Sequence, residues 1–205
     1  MPPYLLERFG PLQLTGDLPY DAGAFLGAYP CSKTALHSAR VAREAVILAT
    51  RFGADARAAR QAGWLHDISA AIPDLERLTV AEAVGLEVLP EERTFPMIIH
   101  QKLSATIAEQ LFGVTDAAVL SAIGCHTTLK QDATTLDKVV FVADKIRWDG
   151  EGKPPYLKEL LMALDRSLDE ATFCYLNFLW RQREHLKVVH PWLKAAHTQL
   201  ASQLG

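Results

Sequence analysis

The chain has 205 residues, of which 49% are hydrophobic and 22% charged, with a formal net charge of −3. That size fits one domain of ordinary length with a terminal extension, and the composition excludes disordered, collagen-like and low-complexity classes. The weak net acidity leaves no global positive field to hold a nucleic-acid backbone or an anionic membrane, so an anionic ligand must be met locally, by a metal or a few side chains.

Residues 1–31 carry Pro2, Pro3, Pro11, Pro19 and Pro30 with Gly10, Gly16, Gly23 and Gly27, a density that predicts an irregular lead-in. Its opening, MPPYLLERFGPLQL, lacks a basic segment followed by an apolar run, and no stretch of the chain approaches the roughly 20 apolar residues of a spanning helix. Cys31, Cys125 and Cys174 are odd in number and lack CxxC spacing, which suggests neither a disulfide framework nor a thiolate zinc site. The expected location is a reducing cytoplasm.

From Thr34 the pattern turns helical. Ala35, Ala39, Ala42, Val46 and Ala49 trace one face of a helix that Gly53 stops. Asp55 is the N-cap of a second helix, DARAARQAGWLHDIS, with Pro73 marking its end. Thr79 and Glu82 read as a capping box for a short helix closed by Gly85. Helices are predicted over 97–112, 115–125 and 135–148, separated by Gly113 and a loop at 127–133. Val139 to Val142 is β-branched, but its flanks LDK and ADK extend a helical period.

GEGKPP at 150–155 reads as a hinge before a helical extension, in which Ser167 and Glu170 form a second capping box. Phe173, Leu176, Leu179 and Trp180 share one side there, a stripe suited to the core or to self-association. The expectation is an all-α protein: lead-in 1–31, site-bearing helical bundle 32–150, C-terminal helical extension 151–205.

The chemistry-bearing residues sit in apolar settings. His66, followed by Asp67, shares a face with Ala59 and Ala62; His37 lies in line with Val41, Ala45 and Leu48. Asp144 follows the run Val139 to Ala143, where a desolvated carboxylate costs several kcal/mol unless it is paired or binds a metal. A salt bridge to Lys138 or Lys145 is the simple structural account of Asp144, and a core histidine that of His66. Together His37, His66, Asp67 and Asp144 supply two imidazoles and two carboxylates, a set suited to iron, manganese or zinc. Adjacent His and Asp on a helix point about 100° apart, so Asp67 can turn to a second ion while His66 stays on the first.

His100 and His126 each end an apolar stretch and are the candidate ligands of that second ion. Two cations would clamp a phosphoryl centre and ionise a water near neutral pH, with His66 and Asp67 at the reacting centre. Thr127 and Thr128 could donate to phosphate; Lys33, Lys102, Lys130, Lys145 and Arg147 are candidate cationic contacts. His185, His190 and His197 in the extension carry no assigned chemistry.

The order H, HD, D is the HD-domain phosphohydrolase pattern. KTALHSARVAREAVILATRFGADARAARQAGWLHDISAAIP, IIHQKLSATIAEQLFG, IGCHTTL and LDKVVFVADKI resemble, in order and spacing, the YqeK family of bacterial HD-domain proteins over about residues 33–150. The resemblance implies an HD-domain helical bundle that splits diadenosine tetraphosphate symmetrically into two ADP, using a metal centre usually described as iron. Carried over by position, its ligands fall on His37, His66, Asp67, His100, His126 and Asp144. Two departures bear on substrate choice: Gln101 and Lys102 follow His100 where a glycine is expected, and KIRWDG follows Asp144, placing Gly150 where the family has arginine. Rival readings are an HD nucleotidase acting on nucleoside monophosphates or deoxynucleotides, and a metal-containing nucleotide sensor without turnover. Phe173, Trp180 and Trp192 could form a homodimer face or a lid.

Overall fold

The structure is a computed structural model and describes residues 4–150 and 152–205. It is all-α, with no strand among the described residues. The helices are α1 (Tyr4–Phe9), α2 (Leu18–Gly27), α3 (Ser32–Phe52), α4 (Ala56–Leu65), α5 (Arg77–Ala83), α6 (Pro90–Thr94), α7 (His100–Gln110), α8 (Ala117–Cys125), α9 (Thr135–Ile146), α10 (Leu157–Leu164), α11 (Leu168–Arg181) and α12 (Pro191–Leu204).

The long α3 is the spine. It buries Val41, Ala42, Ala45, Leu48 and Ala49 against α4 and α9. Small residues set the spacing: a Cβ placed on Gly63 of α4 would lie 2.5 Å from Ala42 Cα, so only glycine lets the two backbones meet this closely. Gly53 stops α3 in the left-handed region at φ 74°, and Asp55 caps α4 by accepting from the amides of Arg57 and Ala58. α7 and α8 pack side by side on the far flank, and α8 reaches α4 and α9. α9, with Val139 to Ala143 fully buried, closes the bundle as a helix, as its flanks predict.

The lead-in is not irregular. Pro2 and Pro3 lie outside the described residues; Gly10, Pro11 and Gly16 lie between α1 and α2, Gly27 ends α2 and Pro30 follows it, Pro19 sits in the first turn of α2, where a missing N–H costs nothing, and Gly23 alone lies in a helix interior. Leu5 and Leu26 are fully buried, so these helices belong to the core.

Two other expectations change. The second predicted helix ends at Leu65, and residues Ile68–Ala71 form a 3-10 turn, so His66 and Asp67 occupy the break. The short helix begins at Arg77, placing Thr79 in its first turn and not at its cap; Gly85 stops it at φ 77°. Ser167 does cap α11 through the Glu170 amide, while the Glu170 carboxylate pairs with Arg166 instead of closing the box.

The extension packs on the bundle through α11 and α9, where the Tyr175 ring meets Phe141 at 5.6 Å between centroids. The aromatic stripe is used within the chain: Trp180 stacks on His197 of α12 at 4.8 Å, and Trp192 lies under the Lys102 ammonium at 5.0 Å. No helix among the described residues is long and apolar enough to cross a membrane.

Candidate metal centre

Four histidines and two aspartates from three helices and the ends of two others meet in the bundle. His37 comes from α3, His66 and Asp67 from the end of α4, His100 from the start of α7, His126 from the end of α8 and Asp144 from α9. His66 and His126 each lie one residue past the last helical residue, where the chain turns and releases the side chain into the centre.

The four rings are oriented alike. Each Nδ1 sits against a backbone carbonyl: His37 on Arg147 at 3.1 Å, His66 on Gly63 at 2.8 Å, His100 on Met97 at 2.5 Å and His126 on Ile123 at 2.8 Å. A carbonyl can only accept, so every Nδ1 carries the proton and every neutral ring presents a bare Nε2 lone pair. These lone pairs point at one another, His66 Nε2 lying 3.2 Å from His37 Nε2 and His100 Nε2 lying 3.0 Å from His126 Nε2. Two acceptors at that distance repel unless a proton or a cation lies between them.

The donors divide into two sets. In the first, Asp144 Oδ1 lies 3.0 Å from His37 Nε2 and 3.7 Å from His66 Nε2, and Asp67 Oδ2 lies 3.8 Å and 3.3 Å from the same nitrogens. In the second, Asp67 Oδ1 lies 3.3 Å from both His100 Nε2 and His126 Nε2. Ligand atoms bonded at about 2.1 Å to one cation are roughly 3.0 Å apart at octahedral angles and 3.4 Å at tetrahedral ones. The second set and the 3.0–3.3 Å pairs of the first match these spacings, the other two pairs of the first are wider at 3.7 and 3.8 Å, and Asp67 offers one oxygen to each set.

The electrostatics match a site built for positive charge. Burial opposes ionisation of Asp67 and Asp144, yet the imidazoles around both, and Lys145 beside Asp144, hold the two carboxyls well below their usual range. Burial likewise opposes charge on His66, but Asp67 and Asp144 outweigh it and raise the imidazole to about 9. At His126 burial wins, reinforced by His66 and His100, and the ring falls to about 4. Without a metal the pocket therefore keeps a proton on one ring as a substitute cation.

Other expected contacts fall differently. Thr127 Oγ1 is 3.1 Å from His100 Nε2 and faces the second set. Lys33 is exposed on the first turn of α3, one turn before His37. Arg147 gives its carbonyl to His37 and its guanidinium to Glu44. Thr128 is buried and engaged with Gln101 and the Leu129 carbonyl. Lys102 is committed to the buried Glu92 at 2.8 Å, which also meets His190 at 3.3 Å; this cluster clamps α12 to α6 and α7. Lys130 binds Ser121, and Lys145 is sequestered against Asp144. For Lys102, Lys130 and Lys145 a nearer carboxylate or hydroxyl satisfies the ammonium, so a phosphate contact would have to displace it.

Sequence reasoning gave no role to Gln101. Fully buried, it accepts at Oε1 from the amides of Thr127 and Thr128 at 3.1 and 3.3 Å and donates from Nε2 to Thr128 Oγ1 at 3.0 Å, fixing the turn that follows His126. Its departure from an expected glycine was the only signal.

The HD domain family model matches residues 34–149, more than half of the chain, and the chain belongs to the HD-domain family, a class of metal-dependent phosphohydrolases. Among particular relatives, it is 49% identical over 144 residues to an uncharacterized protein in the pepC 5′ region of Lactococcus lactis subsp. cremoris, covering 70% of this chain and 73% of that one. It is 32% identical over 113 residues to the symmetrical bis(5′-nucleosyl)-tetraphosphatase of Bacillus subtilis, covering 54% of this chain and 59% of that enzyme, less than two thirds of its length. A crystal structure of a predicted HD superfamily hydrolase involved in NAD metabolism from Clostridium acetobutylicum superposes with a TM-score of 0.81 at 27% identity, covering 90% of this chain and 97% of that one.

Proposed function

We propose that the protein hydrolyses a dinucleoside polyphosphate, cleaving diadenosine tetraphosphate symmetrically into two ADP at a two-cation centre. The observation that carries the metal reading is the sharing of Asp67 between two donor sets whose Nε2 lone pairs face each other at 3.2 and 3.0 Å. The names of the tetraphosphatase relatives support the choice of substrate.

His37, His66, Asp67 and Asp144 would hold one divalent ion, and His100, His126 and Asp67 the other. Such ions supply Lewis acidity that stabilises charge on phosphoryl oxygens and brings a water's proton loss close to neutral pH. N/O donors of this kind suit iron, manganese or zinc, and iron is the metal that the family resemblance implies. The chain's own residues do the rest. Asp67 fixes the separation of the two sets. The Thr127 hydroxyl donates to His100 Nε2 in the metal-free centre and, once a cation takes that lone pair, is free to donate to a phosphoryl oxygen. Lys33, exposed one turn before His37, is a candidate contact for a polyphosphate, and Arg147 would have to exchange Glu44 for it.

The test is product identification with anaerobically purified protein, offered diadenosine tetraphosphate, a nucleoside monophosphate and deoxynucleotide panel, and NAD. ADP as sole nucleotide product is the expected result. AMP with ATP would overturn symmetrical cleavage. Phosphate release from monophosphates would favour a nucleotidase, and turnover of NAD would favour a role in NAD metabolism, in which the Clostridium hydrolase is described as involved. Tight nucleotide binding with no product would leave a sensor.

A further inference from the structure

We infer that Lys145 is a positioning residue shared by both halves of the metal centre, held in place by the C-terminal helices. The inference rests on the metal-centre reading above and adds to it a function for residues 156–175.

Lys145 follows Asp144 on α9, and its Nζ lies 2.5 Å from Asp144 Oδ2 and 3.2 Å from the His126 carbonyl. Asp144 belongs to the first donor set and His126 to the second, so one ammonium touches the outer side of a ligand in each. With Oδ2 tied to Lys145, Asp144 turns only Oδ1 toward His37 and His66. The carboxylate is thereby limited to one donor atom and one orientation. The same ammonium holds the backbone at His126, whose ring is already aligned through Nδ1 on Ile123.

A buried ammonium is costly unless its donors are satisfied, and Lys145 is only 7% exposed. Two acceptors meet part of the need, and two rings meet the remainder: Phe141 at 5.1 Å and Tyr175 at 5.4 Å from Nζ. Tyr175 comes from α11. Tyr156, at the start of α10, donates its hydroxyl to the Lys145 carbonyl at 3.2 Å and packs on Tyr175 at 4.7 Å between centroids. The extension thus closes over the back of the centre and shields the Lys145 ammonium from water. Partners that orient metal ligands typically change metal affinity 10- to 100-fold when removed.

The experiment is titration of metal-free full-length protein with Mn²⁺, followed by calorimetry and by the electron paramagnetic resonance signal of free and paired ions. Variants are Lys145→Met and Tyr175→Leu, each checked for helical content by circular dichroism. Wild type should bind two ions. Lys145→Met, folded, should bind at least one of them 10- to 100-fold more weakly and lose the paired-ion signal. Tyr175→Leu, which touches no ligand, should weaken binding at least threefold in the same direction. Both ions held within threefold of wild type in folded Lys145→Met would overturn the inference; a raised KM beside unchanged Mn²⁺ affinity would return Lys145 to the phosphate. If Lys145→Met does not fold, Tyr175→Leu decides: unchanged affinity overturns the inference. Failure of the wild type itself to bind two ions would instead refute the two-cation reading.

Discussion

Replacing Gly63 with alanine adds one methyl group and should disable a centre it does not touch. The new Cβ would stand 2.5 Å from Ala42 Cα and 2.8 Å from Ala42 N, where ordinary contact needs 3.4 Å or more. Backbone cannot step aside like a side-chain tip, so α3 and α4 must part by about 0.9 Å. Overpacking of this kind costs typically ~1–3 kcal/mol, here at the upper end, and the better helix propensity of alanine returns about 1. A net loss of about 2 kcal/mol corresponds to a fall in Tm of roughly 4–8 °C for a chain of this size. His37 rides on α3 and His66 on the end of α4, its Nδ1 fixed to the Gly63 carbonyl. Their Nε2 atoms, 3.2 Å apart, would separate to roughly 4 Å, wider than the ~3.0–3.4 Å between neighbouring ligands on a cation with bonds near 2.1 Å, so metal binding should weaken. Thermal unfolding with and without metal, alongside metal titration, reads both effects. A Gly63→Ala protein as stable as wild type, with undiminished metal affinity, would refute the claim that this helix contact sets the ligand spacing.

Metal-free protein should be most stable near pH 6.5. His66, raised to about 9 from an unfolded value near 6.5, contributes on the order of 3 kcal/mol that is complete below pH 6.5 and lost as pH rises toward 9. His126, lowered to about 4, works oppositely: its contribution is complete above pH 6.5 and lost as pH falls toward 4. Urea unfolding in chelator across pH 4–9 should trace this maximum, and bound metal should abolish the alkaline arm; stability rising from pH 6.5 to 9 in chelator would contradict the assignment. Thr127→Val keeps shape and removes the hydroxyl that faces His100, so turnover of the nucleotide should fall about tenfold with metal content unchanged, as expected for one lost charge-assisted hydrogen bond. Equal loss of metal and activity would mean that Thr127 acts on the ligands instead.

The ligands were legible because each is a polar group on or ending an apolar stretch, where desolvation demands a partner: His37 in line with Val41 and Leu48, Asp144 after Val139 to Ala143. Their division into two sets was less so. Asp67 faces both sets because the chain leaves α4 at Leu65 and enters a 3-10 turn, and the sequence DARAARQAGWLHDIS reads as one uninterrupted helix. Lead-in helices α1 and α2 were hidden by prolines and glycines that prove compatible with helix ends and first turns, while tertiary burial of Leu5 and Leu26 supplies the stabilisation that short helices lack alone. Lysines were the least legible. Lys102 and Lys145 look alike in sequence as phosphate contacts, and only the fold reveals Glu92 beside one and Asp144 beside the other. Gly63, Gln101 and the carbonyls under the four Nδ1 atoms act through backbone proximity, which residue types do not encode.

The most direct measurement is the metal content of anaerobically purified wild type against Asp67→Ala. If one carboxylate bridges two cations, the wild type carries about two divalent ions per chain, and the variant, still helical, loses both high-affinity sites together with activity. A wild type with less than one ion, or an Asp67→Ala protein that keeps two, would contradict the account.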